Sequence, residues 1–195
     1  MQSELQSFLD QSAALHQHLC PRQVLGVRMG LFAAHILQVP YPQRDKRFYT
    51  FVETDGCFAD GVSVATGCTL GHRTMRLMDH GKIAATFVDT QTTQTIRLRP
   101  RLAIREVAYE FAPNGRSRWH TQLNAYKIMP VEQLLETQPV HLTISLEALI
   151  SRAGIRTACD QCGEEIINGR EIIRESTTLC RACAGDSYFV VESDE

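Results

Sequence analysis

The sequence predicts an α+β fold: N-terminal helices packed on a mainly antiparallel sheet, followed by a small C-terminal treble-clef zinc finger. Three observations predict it. Helical spacing of apolar residues is concentrated in the first forty positions. Segments rich in aromatic and β-branched residues dominate the middle. Two Cys-x-x-Cys pairs stand near the end, Cys159 with Cys162 and Cys180 with Cys183. The expected domains are 1–153 for the α+β core and 154–195 for the finger. A chain of 195 residues is long enough for one ordinary domain and a small appendage.

Residues 4–18 read as a helix, with Leu5, Phe8, Leu9 and Leu15 on one face. Pro21 suits a first helical position and puts Cys20 at the N-cap of a second helix. Leu25, Met29, Phe32 and Ile36 recur along it at spacings of three and four. Gly26, Gly30 and Ala34 form a stripe of small residues beside them. Glycine inside a helix is unfavourable by about 1 kcal/mol, so the stripe implies a closely packed backbone, from this chain or from a second copy. Residues 39–43 end the helix. Residues 46–53 read as a strand and 58–65 as a short helix. Residues 75–78 and 83–88 read as a β-hairpin about the DHGK turn. Residues 95–105 read as a strand with Arg97, Arg99 and Arg101 on one face. A solvated sheet face is the preferred reading of that strip over a phosphate-binding one. Residues 107–111 and the PNGR turn add β-structure. Pro130 opens a helix with Val131, Leu134 and Leu135, and a further helix covers 145–152.

Twenty basic and 22 acidic side chains leave a formal charge of -2, so no overall positive field favours nucleic acid or an anionic membrane. The longest mostly apolar stretch, 24–39, carries Arg28, His35 and Gln38 and is too short and polar to span a bilayer. The N-terminal residues have neither a basic nor an apolar signal region, and a cytoplasmic location is expected. There thiols stay reduced, so clustered cysteines imply metal binding or thiol chemistry.

The spacing of Cys159, Cys162, Cys180 and Cys183 matches C-x2-C-x15–20-C-x2-C zinc sites. Two thiolates separated by two residues can face one ion from a single turn. Gly163 suits that turn, EEIINGREII reads as a hairpin with Asn168-Gly169 at its tip, and CRACAGDSYF reads as a closing helix. Four thiolates complete a tetrahedron and leave no open catalytic position. A redox dithiol pair or an iron–sulfur site is the alternative. Residues 159–183 carry Arg170, Arg174 and Arg181 against five acidic side chains, which argues for a structural or protein-docking finger over a DNA-binding one.

His16, His18 and Cys20 lie within five residues. An extended segment would turn 16, 18 and 20 to one side, whereas a helix would share a face between 16 and 20. A helix N-terminus at Cys20 would favour its thiolate. Cys57 stands at a second strand-to-helix junction after Asp55-Gly56, and Cys68 follows a glycine. Together the five residues suggest a core site for a soft metal or a reactive thiol. Each cysteine alone, without a C-x2-C spacing, reads more readily as a small core hydrophobe than as a ligand. Spacing leaves open which of the five take part.

The ordered series HQHLCPRQVLGVRMG, ETDGCFADGVSVATGCTLG and MDHGKIAATF resembles the formylmethanofuran dehydrogenase E-subunit family. Its members carry a His-Gly-His-x-Cys-Pro-Gly run, an acidic-Cys segment leading to Thr-Gly-Cys-Thr-x-Gly, and a Tyr-Gly-Lys-like turn. Gln17 and Arg22 stand here where that pattern has glycines. The resemblance implies an α+β core, a cleft built from the His/Cys run and Cys57, a tendency to bind metal, homodimerisation, and association with molybdenum- or tungsten-dependent chemistry. The expected function is a metal-binding accessory protein that handles a metal or small cofactor for a metalloenzyme partner. Zinc is the expected finger metal, with a second metal ion in the core. The rival readings are a metal-dependent enzyme acting at the core cleft and a zinc-finger regulator binding nucleic acid, the latter disfavoured by charge.

Overall fold

The computed structural model describes residues 2–146, 150 and 154–192. The chain divides into two compact units, Met1–Leu142 and Thr143–Glu195. The helix expected over 145–152 lies mostly outside the described residues.

In the first unit, α1 (Gln2–His16) turns into α2 (Pro21–Leu37), β1 (Phe48–Val52) leads to α3 (Cys57–Thr66), and β2 (Met75–Leu77), β3 (Ala85–Asp89) and β4 (Thr95–Pro100) follow. Then come α4 (Ile104–Phe111), α5 (Arg118–Ile128), the single turn α6 (Val131–Leu134) and β5 (Leu135–Pro139). The sheet order is β2-β1-β3-β4-β5, with β1 and β2 parallel and the other pairs antiparallel. All five residues of β1 are buried, as in a strand covered on both faces.

α2 is the central helix. It packs on α1, α3 and α5 and lies over β3 and β4. The glycine stripe makes the α2–α3 contact. A Cβ on Gly26 would collide with the Phe58 carbonyl oxygen and lie 2.9 Å from Val62 N, and one on Gly30 would lie 2.7 Å from Ala65 Cβ. The stripe is thus used within one chain, to bring two backbones together. Cys57 and the residues around Cys20 are thereby held on adjoining helices.

Several elements depart from the sequence reading. Residues 75–78 and 83–88 do not form a hairpin. β1 lies between β2 and β3, and the intervening turn is tied to its end, where His80 N and Lys82 N both donate to the Glu53 carbonyl. The strand at 95 stops at Pro100, and residues 107–111 are helical, because Ile104 and Ala108 bury one face of α4 in the core. α5 has no counterpart in the sequence reading. Its start is marked by Ser117, whose side chain accepts from His120 N. The helix after Pro130 is one turn long, and Leu135 already belongs to β5.

The second unit contains two antiparallel hairpins, β6 (Arg156–Ala158) with β7 (Glu165–Ile167) and β8 (Ile172–Arg174) with β9 (Thr177–Leu179). Asn168 and Gly169 do adopt positive φ, 63° and 62°, but the strands on either side of them pair elsewhere. The tight turn between paired strands is Glu175-Ser176, with φ 47° and 74°. The expected closing helix is a turn over 181–185, held by Ala184 N donating to Cys180 O.

Candidate metal centre and reactive cleft

Each hairpin of the second unit delivers one pair of thiols. Cys159 and Cys162 lie on the turn between β6 and β7, and Cys180 and Cys183 follow β9. Gly163, at φ 76°, closes the first turn, with its N–H donating to Cys159 O. The four sulfurs lie within 4.8 Å of one another, and Cys162 Sγ is 4.0 Å from Cys180 Sγ. A tetrahedral ion with zinc–sulfur bonds of about 2.3 Å sets its sulfurs about 3.8 Å apart, so the donor set fits zinc. Backbone N–H groups of Cys162 and Cys180 hold the Cys159 thiol down to about 6, and the neighbouring Cys180 pushes Cys183 up to about 12. Cys159 is thus the sulfur closest to a thiolate, and zinc binding would release the proton of Cys183 to solvent. Among the described residues, this is the one group of three or more such side chains gathered closely enough to hold an ion.

The first-unit residues meet differently. The H-Q-H-L-C run is neither one strand nor one helix. His16 ends α1, Gln17 reverses the chain at φ 66°, and Cys20 is the extended N-cap of α2. Gly56, at φ 69° and ψ -150°, turns the chain after β1 into α3 in a conformation open only to glycine. Cys57 is the first residue of that helix. Its Sγ lies 3.0 Å from His16 Nε2, and His16 Nδ1 lies 2.8 Å from Asp60 Oδ2. Thiol, imidazole and carboxylate form one line, in which Asp60 orients the ring and the ring addresses the sulfur. Sequence reasoning does not find Asp60. Its signal is the spacing of three from Cys57, which puts both side chains on one face of α3.

Cys20 faces Cys57, and the His18 ring packs at a tilt against His16 with ring centroids 4.8 Å apart. At Cys20 the surroundings oppose the thiolate expected from the helix start. Burial pushes this thiol up and the adjacent Cys57 thiol adds to it, outweighing backbone donors at Gln23 and Arg22. Cys68 stands away from the cluster. It follows α3 at the far end from Cys57, about 15 Å along a helix of this length. It is fully buried and its Sγ donates to the Phe48 carbonyl at 3.2 Å, so its role is packing.

His18, Cys20 and Cys57 open onto a cleft of about 1010 Å³. Its walls carry Arg97, Arg99 and Arg101, so the arginine strip faces the cleft and not a free sheet surface. Glu53 takes Arg97 through Nε and Nη2 at 2.5 and 2.7 Å, and Glu136 takes Arg99 at 2.7 Å. The Arg97 guanidinium holds the Glu53 carboxyl below its ordinary value. Lys82, Arg105 and Arg118 add to the basic wall, and Trp119 lines the cleft with them. Sequence reasoning does not single these out, because they lie on the turn before β3 and on two helices that it does not contain. None of the described helices is long and apolar enough to cross a membrane.

Comparison with known proteins separates the same two parts. Residues 152–189 match the prokaryotic dksA/traR C4-type zinc finger. A curated relative from Archaeoglobus fulgidus, described as a probable S-adenosyl-L-methionine-binding protein, is 28% identical over 218 residues. That alignment covers 97% of this chain but 56% of the relative, so the chain spans about half the length of the curated protein it matches. The crystal structure of an FmdE-like protein of the tungsten formylmethanofuran dehydrogenase type, from Syntrophus aciditrophicus, has the same fold. It superposes with a TM-score of 0.59 over 95% of each chain at 19% identity. Residues 15–140, which contain the whole thiol cleft, match the family described as FmdE, molybdenum formylmethanofuran dehydrogenase operon, and the chain belongs to that family.

Proposed function

We propose that the first unit is an accessory module of a metalloenzyme system, holding a metal ion or small cofactor at the His16–Cys57 pair. One observation carries this reading. The Cys57 sulfur stands 3.0 Å from an imidazole oriented by Asp60 and, with His18 and Cys20, lines a cofactor-sized cleft. Imidazole and thiol are soft donors, suited to zinc, copper(I) or iron. The zinc finger stabilises its own unit as a variant of the treble clef, and its four thiolates leave no position for substrate. Cytoplasmic residence, where these thiols stay reduced, and homodimerisation belong to the same proposal. The dimer rests on the family resemblance alone, since the glycine stripe is occupied within the chain.

A second reading draws on the same line of atoms. A thiol hydrogen-bonded to a histidine that a carboxylate orients is the arrangement of a cysteine nucleophile. The two readings part under alkylation. In protein carrying one zinc per chain, iodoacetamide should modify half-exposed Cys57 well before buried Cys20 and Cys68. If a second equivalent of zinc or copper(I) protects Cys57, the metal-handling reading holds. If neither ion binds or protects, and a thioester acylates Cys57, the enzyme reading replaces it. The Archaeoglobus relative makes S-adenosyl-L-methionine a ligand to test. Its sulfonium and ammonium charges would meet walls bearing six arginine side chains, one lysine and one glutamate.

A further inference from the structure

The cleft wall opposite the thiol pair carries its own chemical information. Arg97 and Arg99 are neutralised by Glu53 and Glu136. Arg101 donates from Nε to the Glu132 carbonyl, which leaves its charge uncompensated. Arg22, Arg105 and Arg118 make no side-chain hydrogen bond or ion pair with any described residue. Lys82 is exposed on the same rim, and Glu106 is the one acidic side chain in the lining.

Like charges held on a concave wall repel one another unless an anion lies between them. The chain as a whole carries -2, so this concentration of cations is local and not a consequence of overall composition. The elements that supply it differ: the N-terminus of α2, the turn before β3, the end of β4, and the first turns of α4 and α5. The fold thus gathers charges from five places that share no sequence motif.

We propose that the cleft binds a small organic polyanion, one bearing two or more phosphate or carboxylate groups, with its anionic groups against Arg101, Arg105 and Arg118 and its other end towards Cys57. Guanidinium groups favour such oxyanions because they offer paired N–H donors to planar or tetrahedral oxygen groups. The volume is at the upper end of what small-molecule sites enclose, which suits a cofactor-sized ligand. This rests on the reading that the cleft is the working site, and it names the class of molecule that would be worked on.

Trp119 makes the test direct, because it is the single tryptophan of the chain and lines this cleft. The zinc-loaded full chain is titrated at low ionic strength with inorganic tripolyphosphate and, separately, with citrate. Trp119 fluorescence should saturate with one or both probes at one equivalent per chain, at micromolar to sub-millimolar concentration, and more weakly as salt is added. Saturation by tripolyphosphate alone identifies a phosphate ligand, and by citrate alone a carboxylate one. The double substitution Arg105→Gln, Arg118→Gln should weaken binding at least about tenfold with unchanged thermal unfolding. Arg156→Gln, an exposed change in the other unit, should leave it unchanged. The proposal is overturned if neither probe binds below about 1 mM by fluorescence and calorimetry. It is also overturned if the double variant binds like the parent chain, or if only a short single-stranded RNA binds. Cys57 alkylation, measured on the same samples, reports separately on the thiol–imidazole pair. Loss of the anion site with normal Cys57 reactivity would reject this inference and leave the proposed function standing.

Discussion

Among its described apolar residues, the unit 143–195 buries only Cys159, Ile166 and Ala184, whereas the unit 1–142 closes around Phe48, Phe58, Phe87, Leu98 and Met129, all essentially inaccessible to solvent. The seven cysteines divide along the same line. In the small unit four sulfurs stand together and the two hairpins are arranged about them. In the large unit one sulfur packs, one is buried at a helix cap, and one is presented to a cleft. A fold that cannot bury enough carbon needs its cysteines for cohesion, and one that can is free to use them for chemistry.

The largest effect that would test this contrast is removal of the finger metal. Apparent zinc binding energies of about 10–16 kcal/mol exceed anything three buried residues supply. Cys162→Ser should abolish zinc binding and expose residues 155–192 to protease, while 1–142 keeps its thermal transition. Normal zinc content and protease resistance in that variant would break the comparison.

The core should instead respond to carbon packing. In Gly61→Ala the new methyl would collide with the Gln23 carbonyl oxygen and lie 3.0 Å from Val27 N. Both are backbone atoms, which no rotamer change relieves, so a loss of about 1–3 kcal/mol is expected. A lowered melting temperature for 1–142 with unchanged zinc content checks it.

A partly buried ion pair gives a comparable core effect with a pH signature. Arg47 donates to both Asp89 oxygens at 2.9 and 2.8 Å and holds the carboxyl at about 2, below the ordinary 3.8. The folded value is the depressed one. The stabilisation is therefore full above the unfolded value and is lost as pH falls through the folded one. Asp89→Asn should cost about 2 kcal/mol at neutral pH. The difference from the parent chain should shrink between about pH 4 and pH 2. Denaturant unfolding across that range measures it, and a difference independent of pH would exclude the pairing as its source.

The smallest effect sharpens the contrast at the site itself. Gln17 adopts φ 66°, a region that costs a non-glycine residue about 1 kcal/mol. Gln17→Gly should be neutral to stabilising by up to about 1 kcal/mol, part of the relief being offset by a freer unfolded chain. Cys57 alkylation should remain unchanged if the reversal still delivers His16 to the sulfur. A slower reaction would mean that the Gln17 side chain positions the ring.

Legibility follows the range of the interactions. The finger is readable residue by residue, because its ligands sit on two local turns whose spacing is the geometry. The helices through residue 37 and the strand at 48 are readable from periodicity, and the glycine stripe announces a close backbone. The expected β2–β3 hairpin fails because local sequence cannot say that a third strand comes between two neighbours. The segment 104–128 escapes local reading because its buried positions, Ile104, Ala108, Thr121, Ala125 and Tyr126, make sense only against a core built elsewhere.

The sequence by itself determined the class of fold, the four-cysteine cluster of the finger, and the short list of His and Cys residues from which a core site was proposed. Local spacing and residue chemistry are sufficient for those. Only the tertiary structure decided that Cys57 meets His16 and that Asp60 orients it. It also decided that Cys68 is packing and that scattered arginines share one wall. Those outcomes depend on two helices approaching at Gly26 and on strands pairing across dozens of residues, and no contact of that range is written in any local stretch of the chain.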